Sequence, residues 1–199
     1  LVDDGSKDKT GKIIDALARN NKKIRALHHK KNKGFTGAMK TSLYSAKKHL
    51  VFLAPADGQF DFKELKNFVD AIRGYDVAVG YREIRDEDPL RKFNSWGFHL
   101  LTKILFKIPI KEISSVFLWR RRVIESIEIN SENGSAMFLP EFFYKIVKMK
   151  YKIIEVPVHW YPREGGKSKG AGIKTIVKTF KGMLKLWLQL KLERTVSTQ

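Results

Sequence analysis

The sequence of 199 residues has no cysteine, so disulfides and thiolate metal sites are excluded and a reducing compartment is allowed. No apolar run approaches the ~20 residues of a membrane-spanning helix and no signal-peptide pattern opens the chain, so these residues are not expected to cross a membrane. Acidic residues are scarce beside basic ones, 21 against 39, for a net charge of +18. Such an excess implies a polyanionic partner: nucleic acid, an anionic membrane or phosphorylated substrates. A further absence argues against nucleic acid. No helix-turn-helix, zinc-finger or RNP pattern occurs, and the aromatic residues sit at core spacing rather than among the basic ones. Residues 141–199 hold 13 Lys and Arg against 4 Glu, so half of the excess lies in the last third of the chain.

What is present is a hydrophobic content of 43%, enough for a sizeable core in one domain with an appendage. The run Leu50 to Leu53 is too short for a helix and stops at Pro55. It reads as a buried strand ending in a turn that presents Asp57 and Gln59. Ligands bind at the carboxyl ends of strands in open α/β sheets. A carboxylate and a side-chain carbonyl two residues apart supply hard oxygens there, suited to Mg²⁺ or Mn²⁺ bridging a nucleotide diphosphate. The same residues also read as a plain Asp-Gly turn.

Leu1 to Ser6 looks like the end of a strand with nothing before it, so an amino-terminal segment is expected to be missing. Ser6 or Asp8 caps a helix from Thr10 to about Asn21, whose Ile13, Ile14, Leu17 and Ala18 recur at helical spacing. A short strand at Ile24 to Leu27 follows. Asn32-Lys33-Gly34 then turns into a helix reaching about Lys47. After the Asp57 loop come a helix near Phe62 to Ile72 and a strand at Asp76 to Val79. This alternation predicts an α/β fold, a mostly parallel sheet with helices on both faces.

Gly80-Tyr81-Arg82 reads as the end of that strand and places Arg82 at the same edge as Asp57. Pro89 opens a helix to about Phe106. On it Arg91 and Ser95 share a face, suited to holding a phosphate or simply to facing solvent. Ile113 to Trp119 reads as a strand. Glu141 lies near the start of a helix from Phe138 to Met149, where it complements the helix dipole or serves as a base. The last strand, Tyr151 to Val158, leads into a basic, glycine-bearing loop at residues 161–170. It lacks the Walker pattern and fits a flexible lid over a diphosphate. Ile173, Ile176, Val177, Phe180, Leu184 and Trp187 then line one face of a helix whose other face carries Lys174, Lys178, Lys181 and Lys185. Such a helix lies in a membrane interface or packs on its own domain. The expected division is a domain at residues 1–170 and a basic amphipathic helix and tail at 171–199.

Taken in order, these stretches resemble a family 2 glycosyltransferase of the GT-A fold, most closely the dolichyl (polyprenyl) phosphate mannose synthase branch. Val2-Asp3-Asp4-Gly5-Ser6 is similar to the family's V-D-D-G-S, Asn32-Lys33-Gly34 to its N-x-G turn, and Ala56-Asp57-Gly58-Gln59 to its D-A-D-x-Q metal motif. Gly80-Tyr81-Arg82 is similar to G-S-R, and Glu155-Val156-Pro157-Val158 with Arg163, Gly166, Ser168 and Lys169 to E-V-P…R-x-x-G-x-S-K. The resemblance implies that Asp4 and Asp3 contact the nucleotide, that Gly34 shapes its turn, and that Asp57 and Gln59 hold Mg²⁺ or Mn²⁺. It implies that Arg82, Arg91 and Ser95 hold the lipid acceptor's phosphate and that Arg163, Ser168 and Lys169 close on the donor diphosphate. Two departures stand out: Pro55 replaces the first Asp of the metal motif, and Val116 and Leu118 replace the Gly and Arg of S-G-F-R.

The function so implied is inverting transfer of a hexose from a GDP-mannose or UDP-glucose type donor to a polyprenyl phosphate, by a peripheral enzyme on the cytoplasmic face of an anionic membrane. A lipid phosphate is already an anion and needs positioning rather than a strong base. A sugar hydroxyl as acceptor would need one, with Glu141 the candidate. A non-catalytic membrane-surface module is the reading from another class. The oligomeric state is not readable.

Overall fold

The structure, a computed structural model, describes residues 1–85, 89–113, 116–161 and 173–196. Its elements are β1 (Val2–Asp3), α1 (Thr10–Asn20), β2 (Leu27–His28), α2 (Gly34–Ser45), β3 (Leu50–Leu53), α3 (Leu65–Ala71), β4 (Val77–Arg85) and α4 (Pro89–Phe106). There follow β5 (Phe117–Arg120), α5 (Arg121–Glu125), α6 (Phe138–Lys148), β6 (Ile153–Trp160) and α7 (Ile173–Val196). β1 and β2 form a parallel pair, and the other strands form a second sheet in the order β3-β5-β4-β6.

In the larger sheet β5 is antiparallel to both β3 and β4, while β4 and β6 are parallel. Three strands therefore run one way and β5 alone the other. Residues along a strand alternate between its faces, and here both faces are covered. Val77, Val79, Phe117 and Trp119 join the core under α4, α6 and α7, whereas Ala78, Val116 and Leu118 join a second cluster with Phe68 and Ile72 around α3. The α/β fold with helices on both faces is thus borne out, with a mixed sheet. The direction of β5 is not visible in its sequence because Val116 to Trp119, buried on both sides, reads alike either way.

The larger core is aromatic. Phe117 lies 4.7 Å from Trp119 and 5.5 Å from Phe142, and Phe142 stacks on Phe138 at 5.8 Å. Each fully buried side chain of this size contributes about 1.5–3 kcal/mol. α6 supplies most of them because Phe138, Phe142 and Phe143 fall at spacings that one helical face gathers.

Several element boundaries differ from the sequence expectation: β2 is Leu27–His28 rather than Ile24 to Leu27, and β5 begins at Phe117 rather than Ile113. β4 does not end at Arg82 but runs to Arg85 beside β6, with a register shift between Arg82 and Ile84. β6 likewise reaches Trp160. α7 packs on its own domain along one face and leaves a second apolar face exposed. Met183, Leu186 and Leu190 are buried in the larger core, with Trp187 packed at its edge. Ile176, Val177, Phe180 and Leu184, the stripe singled out from the sequence, stay exposed together with Leu188 and Leu192. α4 packs beside α7 and exposes its own stripe of Trp96, Leu100 and Ile104.

Candidate functional site

Two loops meet at the ends of β1 and β2. Gly5 has φ +70°, and a Cβ on it would come within 2.9 Å of the Asn32 backbone nitrogen, so only glycine lets the loops touch. Asn32 Nδ2 donates to the Asp4 carbonyl at 2.9 Å and the Lys33 N–H to Asp4 Oδ1 at 2.8 Å. Gly34, at φ +73°, abuts Asn133 and Gly134. The Asp-Asp-Gly and Asn-Lys-Gly stretches, far apart in sequence, therefore form one surface.

Both aspartates are engaged by a tandem pair of histidines. His29 Nδ1 lies 2.6 Å from Asp4 Oδ1 and its Nε2 lies 2.8 Å from Thr41 Oγ1. His28 bridges two carboxylates, Asp3 Oδ2 at 3.2 Å and Asp15 Oδ1 at 2.9 Å. Asp3 also accepts from the Ser6 N–H at 3.0 Å. The hydrogen bonds from Ser6, then His28, hold the Asp3 carboxyl below its ordinary range, and Asp3 and Asp15 push the His28 imidazole up. Sequence reasoning passed over both histidines. Their adjacency at the end of a strand was the available signal, since neighbouring strand residues face opposite sides.

Asp57 follows β3 as expected, half-buried, with Oδ1 accepting from the Gln59 N–H at 3.3 Å. Gln59 is placed differently from the expected outward ligand. It is buried, its Nε2 donates to the Tyr161 carbonyl at 3.1 Å, and the Tyr161 N–H donates to the Gln59 carbonyl at 3.0 Å. With the Phe60–Trp160 bridge, this clasps the Asp57 loop to the end of β6. Among the described residues no cluster of three or more His, Asp or Glu forms a metal cage. One carboxylate at a strand end fits Mg²⁺ or Mn²⁺ held chiefly by a nucleotide's phosphates, as magnesium sites usually are.

Arg82 lies at a third point, on β4. Its side chain forks onto Glu112, with Nε 2.5 Å from Oε1 and Nη2 on the same oxygen, and its backbone N–H donates to Oε2 at 3.0 Å. Nη2 also donates to Ser95 Oγ at 3.3 Å, and the guanidinium lies 5.7 Å from the Trp160 ring centroid. Arg82 and Ser95 are thus brought together as expected. Arg91 belongs to α4, one turn before Ser95, but its side chain lies outside the described residues, as do Arg163, Ser168 and Lys169. Val116 and Leu118 are core residues, the Val116 carbonyl accepting from Gly80 N–H at 2.8 Å.

Glu141 is not presented to this edge. Fully buried, its carboxylate accepts from the backbone N–H groups of Asn130 and Ser131 at 2.8 and 2.7 Å, from Ser131 Oγ at 2.5 Å and from Lys145 Nζ at 2.6 Å. Burial would raise its pKa, but Lys145, Ser131 and Asn130 together hold it below the ordinary value. The carboxylate fastens the turn at residues 130–131 to α6, which leaves the base role without geometric support.

Known proteins resemble this chain in sequence and in fold. A dolichyl-phosphate beta-glucosyltransferase of Trichomonas vaginalis is 29% identical over 186 residues, covering 87% of this chain and 55% of its own. An undecaprenyl-phosphate mannosyltransferase of Micrococcus luteus is 26% identical, covering 86% and 75%. The chain thus spans about half the length of the first of these relatives. Glucosyl-3-phosphoglycerate synthase from Mycobacterium tuberculosis, solved with Mn²⁺, UDP-glucose and phosphoglyceric acid, superposes with a TM-score of 0.64 at 12% identity, over 94% of this chain and 67% of that one. At that identity the likeness shows a shared GT-A-like fold. Residues 1–144 match the sequence profile of glycosyl transferase family 2, and the chain belongs to that family.

Proposed function

We propose that this chain transfers a hexose from a nucleotide sugar to a polyprenyl phosphate at a membrane surface. The observation that carries the reading is on α4. Ser95 faces Arg82, while the next residue, Trp96, is 59% exposed and begins the apolar stripe continued by Leu100 and Ile104. A phosphate site directly beside an apolar surface suits a phosphorylated lipid. The exposed stripe of α7, with Lys178, Lys181 and Lys185 on the same helix, extends that surface and suits an anionic interface. The relatives with dolichyl-phosphate and undecaprenyl-phosphate in their names point the same way.

In this reading Asp4 accepts a hydrogen bond from the nucleotide, and Asp57 holds a divalent ion arriving with the diphosphate. That ion, when bound, offsets the charge of the leaving diphosphate. Arg163 and Lys169 share this task. Arg82, Arg91 and Ser95 orient the acceptor phosphate, whose oxygen displaces the diphosphate at the anomeric carbon with inversion. The acceptor is ionised at neutral pH, so no strong base is required. This accords with the commitment of Glu141 to structure.

The test is incubation of the full natural chain with vesicles containing polyprenyl phosphate, Mg²⁺ or Mn²⁺ and labelled nucleotide sugars. Label should pass into the lipid, and chelator or Asp57→Asn should reduce transfer by about 100-fold or more. Vesicle binding without transfer would instead favour a hydroxyl acceptor or a non-catalytic surface module.

A further inference from the structure

The buried carboxylate of Glu112 belongs to none of the motifs in the sequence, yet among the described residues it is the carboxylate that Arg82 grips. It is 2% exposed. Burying a carboxylate is costly unless it is paired and hydrogen-bonded, and Glu112 is paired three ways with one residue, through the Arg82 backbone N–H, Nε and Nη2. We propose that Glu112 is a positioning residue of the acceptor-phosphate site, fixing Arg82 so that the Ser95 hydroxyl is left to donate to an incoming phosphate. This inference rests on the acceptor reading above.

The hydrogen-bond directions support it. Arg82 Nη2 is a donor only, so at 3.3 Å the Ser95 oxygen is the acceptor and its own proton must point elsewhere. Among the described residues that hydroxyl donates to nothing. A phosphate oxygen beside Arg82 is the natural taker, since guanidinium and hydroxyl then grip one anion from two sides.

The segment that carries Glu112 is itself held from behind. His99 Nδ1 accepts from the Ile113 N–H at 3.3 Å, which places the ring proton on Nε2, 3.8 Å from Glu112 Oε1. The Lys111 N–H donates to Glu155 Oε1 at 2.6 Å, and Lys111 Nζ sits 4.0 Å from the Tyr81 ring centroid. The segment carrying Glu112 is therefore anchored to β4 and β6 by contacts that do not involve the Glu112 carboxylate.

The pairing has a consequence for charge. Glu112 offsets the charge of Arg82, so Arg82 contributes direction more than net attraction. Removing the carboxylate would make the site more positive and, on charge alone, would tighten phosphate binding. Positioning predicts the opposite, a slower reaction with a less well-oriented acceptor.

The experiment compares wild type, Glu112→Gln, Glu112→Asp and Ser95→Ala in the full chain, on vesicles of stated polyprenyl-phosphate content with the nucleotide sugar the wild type uses. Glu112→Gln should lower kcat by about 10- to 100-fold, the range a misplacement near 1 Å produces, with the donor KM within about twofold. Glu112→Asp, which keeps the charge, should recover part of the loss. Ser95→Ala should raise the acceptor KM about tenfold, one charge-assisted hydrogen bond. Glu112→Gln with wild-type kcat and an unchanged or lower acceptor KM would overturn the inference. If Glu112→Gln does not fold, wild-type acceptor kinetics in Ser95→Ala would overturn it equally. A wild type that glycosylates a hydroxyl and never the lipid phosphate would overturn the function reading itself, a result separate from any variant.

Discussion

α1 buries only Ile14 and leaves Ile13 and Leu17 in solvent, whereas α6 buries Phe138, Leu139, Phe142, Phe143 and Ile146. The same contrast holds between the two-residue strands β1 and β2 and the larger sheet, packed on both faces. The loops after β1 and β2 are held mainly by polar bonds among Asp3, Asp4, His28, His29 and Asn32. The side around the larger sheet is built on apolar burial with a few buried carboxylates set into it. Polar bonds exposed to water open locally at low cost, and packed cores open only with the whole domain. One protein thus combines an edge governed by protonation and solvent with one governed by packing.

The contrast is broken most severely from the packed side. Phe142→Ala should destabilise the whole domain by about 4 kcal/mol, seen as a lower midpoint in denaturant with hydrogen exchange accelerated throughout. Glu141→Gln comes next. It keeps the shape but leaves Lys145 and the Ser131 and Asn130 donors poorly matched, and should cost about 3 kcal/mol. If it retained full stability, the carboxylate would not be the fastening it is taken to be.

The polar edge should instead respond to pH. His28 has a raised pKa, so its contribution is complete below its ordinary value of 6.5 and is lost as pH rises through the raised one. Asp3 is depressed, so its contribution is complete above 3.8 and is lost as pH falls through the depressed value. Protection of the amides at residues 27–29, corrected for intrinsic exchange, should therefore be greatest between those limits and fall on the alkaline side, with the amides of β5 unaffected. His28→Ala should abolish the alkaline fall. The smallest change is Leu17→Lys, which should alter stability by less than about 0.5 kcal/mol. A larger loss would mean that α1 packs against something in the full protein.

Most of the helices and the α/β class were legible because apolar spacing and glycine turns are local signals. The rest was hidden where tertiary context decided. β4 and β6 run past their apolar residues because each supplies the other's backbone partners, from Val77 and Ile153 to Arg85 and Trp160. Gln59 reads as an outward residue from its spacing to Asp57, and neither its burial nor the donation of its amide nitrogen to the Tyr161 carbonyl has a local signal. Glu112 gave no signal, since a lone acidic residue in Ile110-Lys111-Glu112-Ile113 reads as surface. Only the approach of β4 shows that it lies inside. Glu141 gave the wrong emphasis for a related reason: its position in the first turn of a helix was visible, but the turn at 130–131 that occupies it was not.

The two apolar faces of α7 also bear on how copies of the protein behave toward one another. With Met183, Leu186 and Leu190 turned inward and Phe180, Leu184 and Leu188 turned outward, the outer stripe is adhesive by the ordinary hydrophobic effect. A net charge of +18 opposes contact between copies, but only across a Debye length of about 10 Å at 0.1 M salt and about 3 Å at 1 M. Added salt should therefore turn a dispersed solution into a self-associating one, the reverse of what it does to assemblies held by ion pairs.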